Sequence, residues 1–341
     1  MNNKSIYFIY DAVNCTPNGD PDNGEQRYNE ITKKVTVTDL RIKRFGRDKL
    51  HSLGVPVFYF YDKETIVVDG EAKSGAAARF AAFCKEKGIV MGSKKAKKGK
   101  KGEEPAVSEE TPTSFDSSAI LLQNFSDVRM FGGVLTSKEN NAHITGALQF
   151  DAENDSLNEV LHGKNLVNRG ITTVFPSKDE NGQGSMGRDS YLRYAVFCVR
   201  GHMSATNAKI NGATDEDLKL ALTAIWDGMK NATSRSKYGH EPIACIVIDH
   251  PTKEVNNGFL GTIFGKSFSP MVIKTDKNLS DIYRREDYEF DFTPLKNAAE
   301  TKQIEKVTIY CDNDDFAQKH FSNLSSKCQV VNPLDELMNL V

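Results

Sequence analysis

The sequence predicts an α+β protein built on a ferredoxin-like sheet that long insertions interrupt. A strand-like run at Ile6 to Val13 precedes an amphipathic helix, and further strand-like runs occupy the middle of the chain. A second amphipathic helix then precedes a strand-like run at Ile243 to Ile248. This β–α–β–β–α–β order is that of a ferredoxin-like unit, the architecture of RNA-recognition modules, and the segments between its elements leave room for insertions.

The first strand and helix follow from local residue types. Residues 6–13 are dense in β-branched and aromatic side chains and end at the turn-forming run 14–19. Thr38 and Asp39 are typical of a helix start, and the helix should run to about His51. On a helical projection its apolar side chains share one side and its arginines the other. The apolar residues are Ile42, Phe45, Leu50 and Leu53, and the arginines are Arg41, Arg44 and Arg47.

The middle of the chain predicts an insertion followed by a projecting hairpin. The expected elements are one or two strands within 55–68, an alanine-rich helix at 72–87, a helix at about 117–130 and a strand at 143–150. Residues 92–114, rich in Lys, Glu and Pro, should form a mobile loop. The turn-rich run 177–184 then leads into Met186 to Tyr194, which carries two arginines and a methionine towards a closing strand at 191–199. Such a hairpin suits contact with a long anionic partner.

The remaining elements are a helix, a loop and three short elements. Thr214 and Asp217 predict a capped helix that runs to about Met229. The loop 234–240 leads to the strand that begins at Ile243. A strand at 307–310 and a helix at 314–321 should follow.

Composition excludes several classes of protein. The 341 residues, 39% of them apolar, can bury the core of one large domain or of two. The sequence has neither an apolar stretch of membrane-spanning length nor a signal peptide, so we expect a cytoplasmic protein without membrane contact. The six cysteines lack metal-ligand spacing, which favours free thiols, and we expect no metal and no cofactor.

Charge is distributed unevenly, although the net charge is only −2. Residues 27–50 carry eight Lys and Arg against three acids, whereas residues 276–341 carry thirteen acids against eight Lys and Arg. Two interpretations stay open: chance, or a subunit that grips an anion on one face and packs against a copy of itself.

Three groups of residues are candidates for binding single-stranded nucleic acid, with RNA favoured. They are Asn18 in a turn-rich loop, the basic helix face, and the loop after the second amphipathic helix; each also has a purely structural interpretation as a turn, a solvated face or a helix C-terminus. The side chains concerned, with the hairpin residues, are Asn18, Arg41, Lys43, Arg44, Arg47, Met186, Arg188, Arg235 and Lys237.

Signals of catalysis are weak. The seven histidines are scattered, and the sequence has no Walker, GxGxxG, GxSxG or HExxH motif. Asp20 and Asp22 could bind Mg²⁺, but their Pro and Gly neighbours favour a turn.

Five motifs in order resemble a known family. They are Asn18–Asp22, Val37–Leu40 with the basic residues to Arg47, Asp127–Gly132, Thr145–Gln149 and Met186–Arg188. Together they resemble the backbone subunit of Cascade, the type I CRISPR surveillance complex. This is the seventh Cas family, here in its subtype I-B/I-C-like branch, and it belongs to the repeat-associated mysterious protein superfamily.

The resemblance implies a hand-shaped, non-catalytic subunit. It would have an RNA-recognition-type palm (1–51, 126–164 and 191–341, the last with the C-terminal part), a helical finger insertion (52–125) and a hairpin thumb (165–190). Copies would polymerise head to tail on CRISPR RNA beside other Cascade subunits and present the guide to target DNA. Asn18, Arg41, Lys43, Arg44 and Arg47 would hold the RNA backbone, and Met186 and Arg188 would lie in the thumb. The alternative is a metal-dependent ribonuclease subunit of a type III-like complex, with Asp20 and Asp22 as the candidate catalytic residues.

Overall fold

The structure is a computed structural model, and it describes residues 1–60, 66–68, 71–73, 75–89, 116–136, 141–176, 184–251 and 268–340. The predicted loop 92–114 lies outside these residues. So does most of the predicted turn 177–184.

The described elements are strands and helices in an irregular order along the chain. The strands are β1 Lys4–Cys15, β2 Tyr28–Asn29, β3 Lys34–Thr38, β4 Ile66–Val68, β5 Glu71–Lys73, β6 Gly132–Leu135, β7 Ala142–Thr145, β8 Leu148–Phe150, β9 Glu153–Asp155, β10 Leu166–Pro176, β11 Gly184–Met203, β12 His240–Asp249, β13 Val272–Lys274, β14 Glu289–Asp291, β15 Lys306–Tyr310 and β16 Cys328–Val331. The helices are α1 Asp39–Ser52, α2 Ala76–Glu86, α3 Ser117–Asn124, α4 Ser126–Phe131, α5 Ala205–Asn211, α6 Asp215–Lys230, α7 Thr293–Ala299, α8 Asp314–Phe321 and α9 Pro333–Leu340. The predicted α+β class is confirmed.

One sheet dominates the described residues. Its strand order is β10-β11-β1-β12-β15-β16, with β8 also paired to β11. The central strand β1 is antiparallel to both of its neighbours, and only the β15–β16 pair is parallel. From Lys4 to Val13, nine of the ten residues of β1 are buried, as expected for a central strand covered on both faces.

Each face of this sheet has its own apolar core. Ile6, Phe8 and Tyr10 point to the face covered by α1 and α6, whereas Tyr7 and Ile9 point to the face covered by α7 and α8. This alternation is the two-residue period of a strand. Both cores are therefore fixed by the same short stretch of sequence.

Helices α1 and α6 cross at close range on the first face. A Cβ atom at Gly228 would lie 2.3 Å from the carbonyl oxygen of Phe45, and one at Gly46 would lie 2.9 Å from Ile225. Only glycine fits at Gly228, because the obstructing atom belongs to the backbone. The predicted capping box of Thr214 and Asp217 is confirmed at the start of α6.

The inserted region forms a third apolar cluster that joins helices to a hairpin. Phe58, Phe80, Leu121 and Phe125 pack with residues of β6 and β7, up to Ile144. The predicted helix at 117–130 is wrong in one respect: it is two helices, α3 and α4, because Phe125 adopts an extended backbone between them. Likewise the predicted strand at 143–150 is two strands. The finger boundary at residue 125 stays a prediction.

Gly146, which lies between β7 and β8, makes a close backbone contact with Gly132. A Cβ atom at Gly146 would lie 2.3 Å from the amide nitrogen of Gly132 and 2.4 Å from the carbonyl oxygen of Met130. This contact leaves no room for a side chain, which explains why glycine occurs at position 132 of the motif 127–132 and at position 146 of the motif 145–149.

Candidate RNA interface

The loop after β1 is fixed to the start of α1 by Asn18. This residue is buried, and its side-chain oxygen accepts a hydrogen bond from the Thr38 hydroxyl at 3.0 Å. Its backbone amide donates to the side chain of Gln26 at 2.9 Å. Thr38 is the N-cap residue by position, but its hydroxyl bonds Asn18 instead of capping the helix. The geometry gives Asn18 a role in holding the loop, and its predicted RNA contact stays a prediction.

The two candidate catalytic acids take part in a turn. The Asp20 side chain accepts a hydrogen bond from the backbone amide of Asp22 at 2.9 Å and lies 3.5 Å from the Arg27 guanidinium. The Asp20 carbonyl oxygen accepts from Gly24 at 2.7 Å. These contacts favour the turn interpretation over a metal site.

Two cations of the predicted basic face are engaged inside the protein. Lys43 is buried, and its ammonium donates to Asp39 at 2.8 Å and to Gln149 at 2.9 Å. The Arg47 guanidinium bonds the buried carboxylate of Asp127 at 3.0 Å. Each of these cations therefore contacts a residue distant in sequence, and its predicted RNA contact stays a prediction.

Asp127 is the centre of a buried brace between α1 and the inserted region. In addition to the bond from Arg47, its carboxylate accepts hydrogen bonds from the backbone amides of Phe58 at 2.9 Å and Tyr59 at 3.2 Å. Arg129, two residues after Asp127, instead bonds Asp217 at 2.6 Å and 3.0 Å. Asp127 is fully occupied by the brace.

The other two arginines of α1 line a groove beside the C-terminal end of α6. Arg41 lies over the Phe45 ring, 3.9 Å from its centroid, and burial lowers its pKa to about 10. Arg44 is partly exposed and pairs with Asp48. The groove has a volume of about 550 Å³, and Lys237 lines its opposite wall.

Lys237 joins this groove to the loop after β1. Its ammonium donates to the carbonyl oxygens of Thr16 and, at 3.0 Å, of Pro17. Burial and the nearby Arg41 lower the pKa of Lys237 to about 8. Strand β12 begins immediately afterwards, where the Val13 amide donates to the Gly239 carbonyl at 2.8 Å. The Thr16 amide also donates to the Ser236 carbonyl at 2.9 Å, so backbone hydrogen bonds hold the loop 234–239 on both sides of Lys237.

A second groove, of about 480 Å³, follows the base of the hairpin formed by β10 and β11. Arg169, Arg188 and Asp189 line it, and Arg188 is exposed. Arg235 reaches the same place, since its guanidinium bonds Asp189 at 2.8 Å through both terminal nitrogens. The backbone of Met186 pairs with Thr172, but the Met186 side chain lies outside the described part of the structure.

The fold therefore brings together most of the predicted cations and adds residues that the sequence did not single out. Arg41, Arg44 and Lys237 share one groove, and Arg188 lines the other, where Arg235 bonds Asp189. Tyr238, 75% exposed beside Lys237, offers an aromatic face, and its place in the motif Ser-Arg-Ser-Lys-Tyr was the available signal. Arg169 and Asp189 carried no such signal, because their partners are distant in sequence.

The described ranges of the chain contain neither a candidate metal centre nor a candidate membrane span. No group of three or more His, Cys, Asp or Glu side chains in these ranges is placed to hold a metal ion. None of the helices in the same ranges is both long enough and apolar enough to cross a membrane.

Comparison with known proteins identifies the family. A family model described as CRISPR-associated protein Cas7 matches residues 2–293. A relative from Haloferax volcanii, named CRISPR-associated protein Cas7, is 27% identical over 269 residues, which cover 73% of this chain and 71% of the relative.

Two solved structures are also similar to this chain. One is described as a CRISPR RNA-guided surveillance complex, pre-nicking, with a TM-score of 0.49, 15% identity and coverage of 99% of both chains. The other is described as a CRISPR RNA-guided surveillance complex, with a TM-score of 0.47, 12% identity and coverage of 99% of this chain and 98% of the other. The family match spans most of the sequence and confirms the resemblance inferred from its motifs: the chain belongs to the CRISPR-associated protein Cas7 family.

Proposed function

We propose that this chain is a non-catalytic backbone subunit that binds CRISPR RNA. The observation that carries the proposal is the pair of adjoining cation-lined grooves, one between α1 and the end of α6 and the other at the hairpin base. Single-stranded RNA needs such a positively charged path along its backbone, with aromatic faces for its bases.

The contacts proposed for the RNA are mainly to phosphate. Arg41, Arg44 and Lys237 line the first groove, Arg188 lines the second, and the largely exposed Arg235 is bonded to Asp189 of the second. Cations that contact phosphates hold a strand in register without reading its sequence, which suits a subunit that must accept any guide. Tyr238 supplies a surface on which any base can stack.

The proposed hand shape has a palm, fingers and a thumb. Strands β8, β11, β1 and β12 lie in the order 2-3-1-4 of a ferredoxin-like sheet, with α1 and α6 on one face, which supports an RNA-recognition-type palm. The cluster around Phe58 and Phe80 is the proposed finger region, and the β10–β11 hairpin is the proposed thumb. Met186, near the turn of that hairpin, is the residue proposed to displace a base.

The proposed partners follow from the family. Copies of the chain would bind one another head to tail along CRISPR RNA beside other Cascade subunits, and the exposed guide bases would pair with target DNA. The asymmetric charge distribution supports a heterologous interface between copies, because one basic surface can meet an acidic one.

The groove proposal is tested by removing two of its arginines. The double variant Arg41→Gln/Arg44→Gln should weaken binding of single-stranded RNA, and the log–log salt dependence should flatten by about 1.4 for two lost phosphate contacts. Arg200→Gln is the matched control: Arg200 is 38% exposed and paired with Asp151, much as Arg44 is 39% exposed and paired with Asp48. RNA binding by the folded double variant that equals that of the control would contradict the proposal.

The ribonuclease alternative is tested with the assembled RNA–protein complex. Labelled complementary RNA should stay intact when it is incubated with this complex and Mg²⁺. Regularly spaced cleavage that disappears on Asp20→Ala would favour the nuclease instead.

A further inference from the structure

Asp189 lines the second groove and is held between two arginines. Its residue is only 8% exposed, and its carboxylate contacts two guanidinium groups. Arg235 bonds it through both terminal nitrogens at 2.8 Å, and Arg169 bonds it through Nε at 3.1 Å. The hydrogen bond from Arg235 and that from Arg169 lower the pKa of Asp189 to about 2, so the carboxylate is charged at neutral pH.

The three residues come from three separate segments. Arg169 lies on β10 directly opposite Asp189 on β11, whereas Arg235 belongs to the loop after α6. The next residue, Ser190, extends the connection: its carbonyl oxygen accepts a hydrogen bond from Thr16, and its hydroxyl accepts one from the Gln26 amide at 3.1 Å. The base of the hairpin is thereby joined to both loops that carry proposed RNA contacts.

Both arginines are held from one side and open on the other. The Arg235 side chain is 69% exposed and that of Arg169 is 54% exposed, although each is bonded to the same carboxylate. A guanidinium has five N–H donors, so donors remain for a phosphate after the contact to Asp189. A side chain that is already oriented loses less conformational freedom when it binds.

We infer that Asp189 is a positioning residue for RNA binding, which orients Arg235 and Arg169 and fixes the hairpin to the rest of the protein. This inference rests on the proposed function, because it concerns the same RNA surface. It predicts that removing the negative charge of Asp189 lowers the affinity for RNA. A carboxylate near RNA repels phosphate, so charge alone predicts tighter binding when it is removed, whereas positioning predicts weaker binding.

The test compares two carboxylates that each pair with an arginine, one on the proposed RNA surface and one outside both grooves. Asp189→Asn should weaken the binding of single-stranded RNA about tenfold, as expected for loss of charged hydrogen bonds. The salt dependence should not flatten, since no cation is lost. Asp151→Asn is the matched control: Asp151 pairs with Arg200 at 2.6 Å, neither residue lines either groove, and its removal should leave RNA binding unchanged.

Further variants separate positioning from a general effect on folding. The loss caused by Asp189→Asn should become smaller in an Arg235→Gln background, because the residue that it positions is gone. Arg235→Lys keeps the charge at an exposed position but cannot make the two-point contact, so it should also weaken binding. This variant keeps the test available if Asp189→Asn does not fold.

Three outcomes would overturn the inference. Unchanged or tighter RNA binding by folded Asp189→Asn would do so, as would unchanged binding by Arg235→Lys. An equal loss with and without Arg235 would exclude positioning of that side chain. In each of these cases the wild-type protein still binds RNA and the proposed function stands, whereas failure of the wild-type protein to bind RNA would overturn both.

Discussion

The brace between Arg47 and Asp127 gives the clearest prediction for stability. Replacing Arg47 with Met keeps most of the apolar side-chain volume but removes the guanidinium from a carboxylate whose side chain is fully buried. Arg47 also lies near two aromatic rings, 5.1 Å from the centroid of Phe131 and 5.5 Å from that of Tyr59. The variant should therefore be markedly less stable, although its residue belongs to a helix that looks like a nucleic-acid contact in sequence.

The size of the effect follows from the contacts that remain. Removing one partner of a buried ion pair typically costs about 3–5 kcal/mol. Asp127 keeps the backbone amides of Phe58 and Tyr59 as donors, so we expect the lower end, about 3 kcal/mol. Arg44→Met is the matched control on the same helix, and its exposed pair with Asp48 should contribute only about 0–1 kcal/mol.

The measurement is urea denaturation followed by tryptophan fluorescence. The only tryptophan, Trp226, is fully buried on α6 and packs 5.8 Å from the Phe8 ring, so its emission reports on the core that α1 helps to form. Adding Asp127→Asn to Arg47→Met should recover part of the loss, because the uncompensated charge disappears. A cost below about 1 kcal/mol for Arg47→Met would refute the assignment of this pair as a buried brace.

Two further predictions concern pH. Burial raises the pKa of Asp11 to about 6, so the folded chain holds this proton more tightly than the unfolded chain. The bound proton stabilises the fold fully below about pH 4, and this stabilisation is lost as the pH rises through 6. In unfolding experiments between pH 4 and 8, Asp11→Asn should remove up to about 3 kcal/mol of the pH dependence of the unfolding free energy. An unaltered pH profile would exclude this role. The pKa of Lys237 is lowered to about 8, so RNA binding should weaken between pH 7 and 9 as the ammonium loses its charge. The chain without RNA should gain stability from pH 8 towards 10.5, because the unfolded chain then binds more protons than the folded one. Lys237→Arg should bind RNA equally at pH 7 and 9, and a loss of binding that persists in this variant would point to another titrating group.

Local patterns predicted the elements of this fold better than the partners of its charges. The 3.6-residue period identified α1 and α6, and the density of β-branched and aromatic side chains in residues 6–13 identified the central strand, because these patterns depend on neighbours in sequence. The period also placed Arg41, Arg44 and Arg47 on one side of α1. It could not show that Asp127, 80 residues later, lies beside Arg47.

The candidate site was predictable in the same partial way. Its cations could be identified by type, but their arrangement depends on contacts between distant segments. Lys43 looked like a surface cation until Gln149, 106 residues later, was found at its ammonium. Asp189 and Arg235 are separated by 46 residues, and nothing in either local motif indicates the other.

Strand β11 has a mechanical consequence for the hairpin that it forms. Its 20 residues continue without a break from the hairpin into the centre of the sheet, a length of about 65 Å. The inner part pairs with β1 over eleven residue positions, so it is clamped like the fixed end of a cantilever, and the hairpin is the free end. A cantilever bends along its whole length instead of turning about a hinge, so a load at the tip should produce a small elastic deflection whose stiffness the central sheet determines. The distance from the central sheet to the end of the hairpin should then be the same in every copy of the chain.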